Sequence, residues 1–222
     1  MAEQRLQEQF RKDAPYNVTY NYQDIESGTG MVNFYGTKMV LAGSVITYHL
    51  IEETFDTGVY GLNSQFIDDE PVCGFTANPT GTLTFDTDIF NHQRIINGTA
   101  YAIIPVGVID TGTNADITIT DVKLIRVNLD ASTTTLTNEF DFDLVATTDA
   151  TSIVNKNLFL KFNSISSQVV KLGEKIRLSL TIAKNGNVYL CHNPSGSSVV
   201  VNNSGHTLSK TQMVVSLPFK IR

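Results

Sequence analysis

The residues to weigh first are those able to move a proton, attack a carbonyl or hold a metal. Asp141 and Asp143 stand two apart, so on a strand they share one face, opposite Phe140, Phe142 and Leu144. Two carboxylates in that register would suit a glycosidase. The same pattern is also the outer face of an ordinary amphipathic strand, and that simpler reading is preferred. Asp68-Asp-Glu70 and Asp86-Thr-Asp88 offer oxygen ligands of the kind calcium takes. Their spacing misses the EF-hand loop, and Asp-rich turns are ordinarily just solvated. The four histidines, His49, His92, His192 and His206, form no zinc spacing. Cys191 and His192 are neighbours at a strand end, so their side chains point to opposite faces and make no dyad. There is no nucleophile elbow and no P-loop, and Gly28-Thr-Gly30 is a turn between extended segments. No catalytic residue, cofactor or metal follows from these patterns, and a non-enzymatic role is expected.

The elements around these residues are extended. Val45, Thr47, His49 and Ile51 alternate with Ile46, Tyr48 and Leu50, and both sets hold apolar side chains, so this strand is expected to be covered on both faces. Thr82–Phe85 and Ile176–Ile182 alternate cleanly. The run from Ile117 to Val127 changes phase near Asp121, which predicts a bulge. Asn97-Gly98 and Asn185-Gly186 are hairpin signals. Pro105 and Pro218 lack a donor and predict an edge or a bulge in their strands. Thr147–Thr151 reads as a surface loop. About ten strands at regular spacing predict an all-β, antiparallel β-sandwich, jelly-roll-like.

The one helical pattern is at the N-terminus. Leu6 and Phe10 lie four apart among Glu, Gln, Arg and Lys, and Asp13-Ala-Pro15 ends the pattern. A helix of that length is marginal alone, so Leu6 and Phe10 are expected to dock on a partner. Residues 1–15 are thus read as a short helical arm and 16–222 as one β-sandwich domain. At the other end Leu217–Ile221 is expected to be a core strand with Phe219 and Ile221 turned inward. Lys220 and Arg222 would then be free to meet an acidic neighbour. Leu6, Phe10, Phe219 and Ile221 are the expected partner-binding residues.

Composition supports a sheet with a wet but weakly charged surface. Charged residues are 17% of the chain, below the roughly 25% usual in soluble proteins. Twenty-six threonines supply polar, β-branched surface instead. A net charge of −6 argues against a nucleic-acid partner. No apolar run is long enough to span a bilayer, and residues 1–13 lack a signal-peptide core, so neither membrane nor secretion is expected. The Asn-X-Thr/Ser matches at Asn17, Asn97 and Asn202 are accordingly discounted. Cys73 and Cys191 are expected to be reduced. The chain has 8 Tyr and no Trp. Tyr16, Tyr20 and Tyr22 form an alternating ridge better read as packing than as a sugar platform.

With its polar arm, the segment Tyr22–Tyr35, its Thr/Asn-rich body and the ending Ser216-Leu-Pro-Phe-Lys-Ile-Arg222, the whole chain resembles a structural protein of a tailed-phage particle, of the head-decoration or head-associated kind. The resemblance implies a virion component that forms a homo-oligomer and binds neighbouring capsid or tail proteins. It brings no family site residue. A glycan- or receptor-binding module of a fibre or adhesin is the alternative, and a sandwich-fold hydrolase with two convergent carboxylates is a third.

Overall fold

A computed structural model describes residues 18–19, 29–41, 45–52, 75–109, 115–138, 144–148, 152–193, 198–201, 206–209 and 212–220. Among these there are seventeen strands and no helix. They are β1 (Val18–Thr19), β2 (Thr29–Leu41), β3 (Val45–Ile51), β4 (Phe75–Ala77), β5 (Gly81–Thr87), β6 (Arg94–Gly98), β7 (Tyr101–Ile109), β8 (Ala115–Val127) and β9 (Thr133–Asn138). The rest are β10 (Leu144–Thr148), β11 (Val154–Lys161), β12 (Ile165–Val170), β13 (Lys175–Asn185), β14 (Asn187–Cys191), β15 (Val199–Val201), β16 (His206–Leu208) and β17 (Val214–Lys220). The chain is therefore all-β, as its alternating pattern predicts. The proposed arm at 1–15, with Leu6 and Phe10, lies outside the described residues, as does Ile221.

Fifteen strands join in one sheet whose main path runs β10-β8-β13-β5-β3-β2-β17-β7-β14-β4. β15 and β16 form a separate pair. The sheet is mixed, because β3 and β5 run parallel while the other registered pairs are antiparallel. This corrects the expectation of a wholly antiparallel arrangement. One core gathers side chains from distant parts of the path, including Phe34, Phe85, Ile104, Ile117, Leu124, Leu160, Leu178 and Leu217. Strand alternation explains it: in β13 the even residues Ile176 to Ile182 are buried while Arg177, Ser179 and Thr181 face outward.

The phase change in β8 is a bulge. Thr120 pairs with Thr181 and Lys123 with Ser179, so two residues on β8 oppose one on β13. Asp121 sits there at φ 50°, and after it Val122 and Leu124 point back into the core. The Asn-Gly turns correct the hairpin expectation. β6 pairs with β12 and β17, and β14 pairs with β7 and β4, so neither turn joins paired strands. Gly98 (φ 119°) and Gly186 (φ 70°) instead let the chain break away and join new neighbours. Thr147 and Thr148 are also strand, paired with Asp116 and Ala115, rather than loop.

Both prolines lie inside the sheet, at places where a strand changes partner. β17 pairs with β7 through Ser216 and with β6 from Phe219, leaving Leu217 and Pro218 unregistered on that side. β7 pairs with β17 through Ile103 and with β14 from Val106, leaving Ile104 and Pro105 unregistered likewise. The hydrogen-bond phase confirms which way each nitrogen faces. Gly36 N–H donates to Met213 C=O, which makes Met31 and Pro218 a non-hydrogen-bonded pair two and a half repeats along. Phe162 N–H donates to Ala100 C=O, which does the same for Pro105 and Asn157. Each proline nitrogen thus points at the gap, where a missing donor costs no ladder bond.

Candidate functional site

Three places gather side chains that could act. The first is an ion cluster on the outer face of β3, β5 and β13. The Arg177 guanidinium donates to both oxygens of Asp86, at 2.6 and 2.8 Å, and Lys175 Nζ lies 2.9 Å from the same carboxylate. Burial pushes the Asp86 carboxyl up, but the hydrogen bonds from Arg177 and Lys175 outweigh it and hold the group below the usual carboxylate range. His49 stands opposite Asp86 across the parallel pair, and its Nε2 lies 2.9 Å from Thr47 Oγ1. Burial lowers its pKa despite Asp88 and Asp86 nearby. With both Asp86 oxygens engaged by cations, Asp86 and Asp88 do not form a calcium cage. No group of three or more metal-ligating side chains occurs among the described residues.

The second is His192, just past β14 and fully buried. Its Nε2 lies 2.9 Å from Thr76 Oγ1, which lies 3.1 Å from the Tyr48 hydroxyl. The rings of Tyr48 and Phe85 flank it at 5.8 and 6.3 Å. Nδ1 has no hydrogen-bond partner. Burial pushes the imidazole pKa down to about 3, so the ring is neutral at ordinary pH. Cys191 points the other way, into a second apolar cluster with Ile109, Tyr189, Val201 and Leu208. Burial raises its thiol to about 12, so thiolate chemistry is closed to it, and it carries no disulfide. Among the described residues no activated nucleophile stands beside this His–Thr–Tyr chain, and it reads as a core contact satisfied at Nε2 alone.

The third is a row of apolar side chains on the outer face of the sheet. Registers align Ile51 with Tyr35, Tyr35 with Val214, Val214 with Ile103, and Ile103 with Phe159. Five adjacent strands, β3, β2, β17, β7 and β11, therefore place one apolar residue each in a continuous line. The first four are half-buried and Phe159 is 59% exposed. In the next row Tyr101 stacks against Phe159, with ring centroids 5.9 Å apart and planes tilted by 31°. Beside Tyr101, Ser216 Oγ donates to Asn33 Oδ1 at 2.7 Å. The row holds no titratable pair or nucleophile–base pair, and only Phe159 in it is largely exposed.

Of the expected partner-binding residues only Phe219 lies among those described. It is 9% exposed, and its ring lies 6.4 Å from Phe34 and 5.9 Å from Phe90 in the main core. Its inward turn agrees with the sequence, and that same turn places the ring in this domain's interior rather than on the surface a partner would meet. Asp68, Asp141 and Asp143 lie outside the described residues. The row was missed in the sequence, although it leaves a trace there. Each member interrupts the inside–outside alternation by standing next to an inward apolar residue: Phe34-Tyr35, Leu50-Ile51, Ile103-Ile104, Leu158-Phe159-Leu160 and Val214-Val215.

No family model matches the chain, and no curated protein matches it. Solved structures similar to it include an aminopeptidase from a marine-sediment Thaumarchaeota archaeon, with 10% identity and a TM-score of 0.39 over 64% of this chain and 26% of that one. A CocE/NonD family hydrolase from Staphylococcus aureus has 8% identity and a TM-score of 0.38 over 84% of this chain and 35% of its own. An alpha-amino acid ester hydrolase has 12% identity and a TM-score of 0.34 over 84% and 36%. The matched region spans roughly a quarter to two fifths of these proteins. All of them are hydrolases or peptidases by name, so the expectation that this chain stands outside the enzymes is corrected and does not stand. With TM-scores below 0.5, the likeness assigns it no activity either.

Proposed function

We propose that this chain is a structural building block of a virus particle, associating with copies of itself and with neighbouring capsid or tail proteins through the outer face of its sheet. In this reading the sheet is a two-layered, jelly-roll-like sandwich. The observation that carries it is the apolar row Ile51–Tyr35–Val214–Ile103–Phe159, which ends in a largely exposed aromatic ring. The chain's low charge and its abundance of Thr and Asn suit the partly wet rim of a repeated interface. Sedimentation velocity on the purified chain tests it. The expected result is concentration-dependent association that Phe159→Asp weakens at least tenfold. A strictly monomeric chain at high concentration, or association indifferent to that substitution, refutes it.

A second reading, a glycan- or receptor-binding module, is favoured by one feature. The Tyr101–Phe159 pair is a small aromatic platform edged by Asn157, Lys161 and Ser216, the mixture of flat apolar and polar groups that suits a sugar face. Glycan-array binding lost on Phe159→Ala and unaccompanied by any change in oligomeric state would select it.

A further inference from the structure

We propose that an apolar tip, formed by the loops that follow β5 and β8 and precede β13, docks on the Phe159 end of the outer apolar row of a second copy, joining copies head to tail. The proposal rests on reading that row as the association face. Of the large apolar side chains exposed among the described residues, three stand on these loops: Ile89 at 59%, Leu129 at 73% and Leu172 at 62%. Strand pairing sets the loops side by side. β13 lies between β5 and β8, with Arg177 opposite Asp86 and Lys175 opposite Val127 close to the strand ends. The loops are also pinned to one another. Gly173 N–H donates to Phe90 C=O and Phe90 N–H donates to Glu174 C=O, both at 2.8 Å. Leu129 lies against Gly173, where an added Cβ would collide with its Cδ2. The buried Glu174 carboxylate accepts from Lys171 N–H at 2.7 Å, and Asp130 accepts from both the N–H and the hydroxyl of Ser132. A tip held in this way loses little freedom on binding.

Charge decides what the tip meets. Taken across the three loops, Asp88, Lys171 and Asp130 stand in that order, and all are exposed. Two such tips related by a two-fold axis would set lysine on lysine and acid on acid, whichever way the axis lies in the contact. Tip therefore does not pair with tip. The end of the row is different. Phe159 is 59% exposed there, Tyr101 stacks beside it, and the exposed Lys161 stands opposite Tyr101 on β11. A flat aromatic pair receives protruding aliphatic side chains, and the Lys161 ammonium is placed to meet Asp88 or Asp130. Phe159 and the three tip residues are exposed in one and the same chain, so neither surface covers the other. Each copy thus offers one tip and one row end. A contact between unlike surfaces is heterologous and builds a ring or a filament, as a repeated building block requires.

The test takes the full chain to sedimentation velocity with two variants at exposed positions, one carrying Leu129→Asp and Leu172→Asp, the other Phe159→Asp. The wild type should grow past the dimer as its concentration rises. A wild type that stops at the dimer would mean that like surfaces meet, and overturns the proposal. Each variant alone should associate about tenfold more weakly. Mixed in equal amounts, the two should form a one-to-one dimer that grows no further, because the first keeps its row and the second keeps its tip. A tip variant that associates like the wild type overturns the proposal and leaves the row standing as the association face. Phe159→Asp associating like the wild type sinks the row itself, so the two failures are distinguishable. If both variants lose association and their mixture stays monomeric, the two surfaces do not meet and the proposal fails. Lys161→Glu leaves both apolar surfaces whole and should weaken wild-type association several-fold. Unchanged or tighter association in that variant would overturn docking at this end of the row.

Discussion

Acid should unfold this protein earlier than its carboxylates require, and His192 should be the main reason. The imidazole is fully buried between the Tyr48 and Phe85 rings, and burial pushes its pKa from 6.5 down to about 3. In the unfolded chain it takes a proton near its ordinary value. Its contribution to stability is therefore complete above pH 6.5 and is lost as pH falls toward 3. Protonation linkage puts the loss at about 2 kcal/mol by pH 5 and about 3 kcal/mol by pH 4. For a chain of this size that corresponds to a fall in Tm of roughly 4–8 °C by pH 5. Asp86, held below its ordinary value of 3.8, keeps its contribution above that value and loses it only further down, so the window from 6.5 to about pH 4.5 belongs to histidine. His49 shifts in the same direction and adds to the wild-type slope, so a variant is needed to isolate His192. Urea unfolding at several pH values would compare the wild type with His192→Gln, whose amide keeps a partner for Thr76 Oγ1. The variant should lose most of the pH slope, whatever its absolute stability. An unchanged slope, or an imidazole NMR signal from His192 that titrates near 6.5 in the folded protein, would refute the reasoning.

Further outcomes follow from the same contacts. Asp86→Asn removes the carboxylate held by Arg177 and Lys175 and should cost about 2 kcal/mol in urea unfolding at neutral pH, with the difference vanishing in acid once the wild-type carboxyl is protonated. Gly107→Val places a side chain where Leu208 and Ile153 now lie, so it should loosen the β15–β16 pair and speed amide exchange at 206–208 before it unfolds the sheet. Unchanged exchange there would count against the packing described for that pair.

Much of this fold is visible in the sequence where the period of two is regular. β13 and β8 could be placed from alternation, and the phase change at Asp121 gave the bulge, because an inserted residue must flip every later side chain. Partner choice was not visible. Asn97-Gly98 and Asn185-Gly186 carry the chemistry of a tight turn, but which strand pairs with which is decided by long-range packing that a dipeptide does not encode. The apolar row was hidden for a related reason. Tyr35, Ile103 and Phe159 are unremarkable singly, and they become a line only when registers between strands far apart in the chain align them. Phe219 shows the opposite case: its inward direction follows from local alternation, whereas its contacts with Phe34 and Phe90 depend on tertiary structure.

The prolines allow a sharper test, since they reverse the usual expectation. Proline in an interior strand normally removes a ladder bond, so replacing it with alanine should restore a donor and stabilise the sheet. Pro218 is an interior residue, flanked by β2 on one side and by the β7-to-β6 change on the other. Its pairing with Met31 is of the non-hydrogen-bonded kind, so the nitrogen faces the change of partner, where Gly98 lies against the proline ring. Alanine would aim a buried N–H at a place with no registered acceptor. The cost of such an unmet donor is about 1–3 kcal/mol. Losing the ring's restriction of the unfolded chain adds roughly 0.4–1 kcal/mol in the same direction. Pro105 stands in the same relation to the change from β17 to β14, and Pro105→Ala should behave alike. Both variants should therefore be less stable in urea by about 1–4 kcal/mol, with no change in the denaturant slope. A Pro218→Ala chain as stable as the wild type, or more so, would mean that its nitrogen faces a carbonyl after all, and the account of how this sheet exchanges strands at its interior would fail.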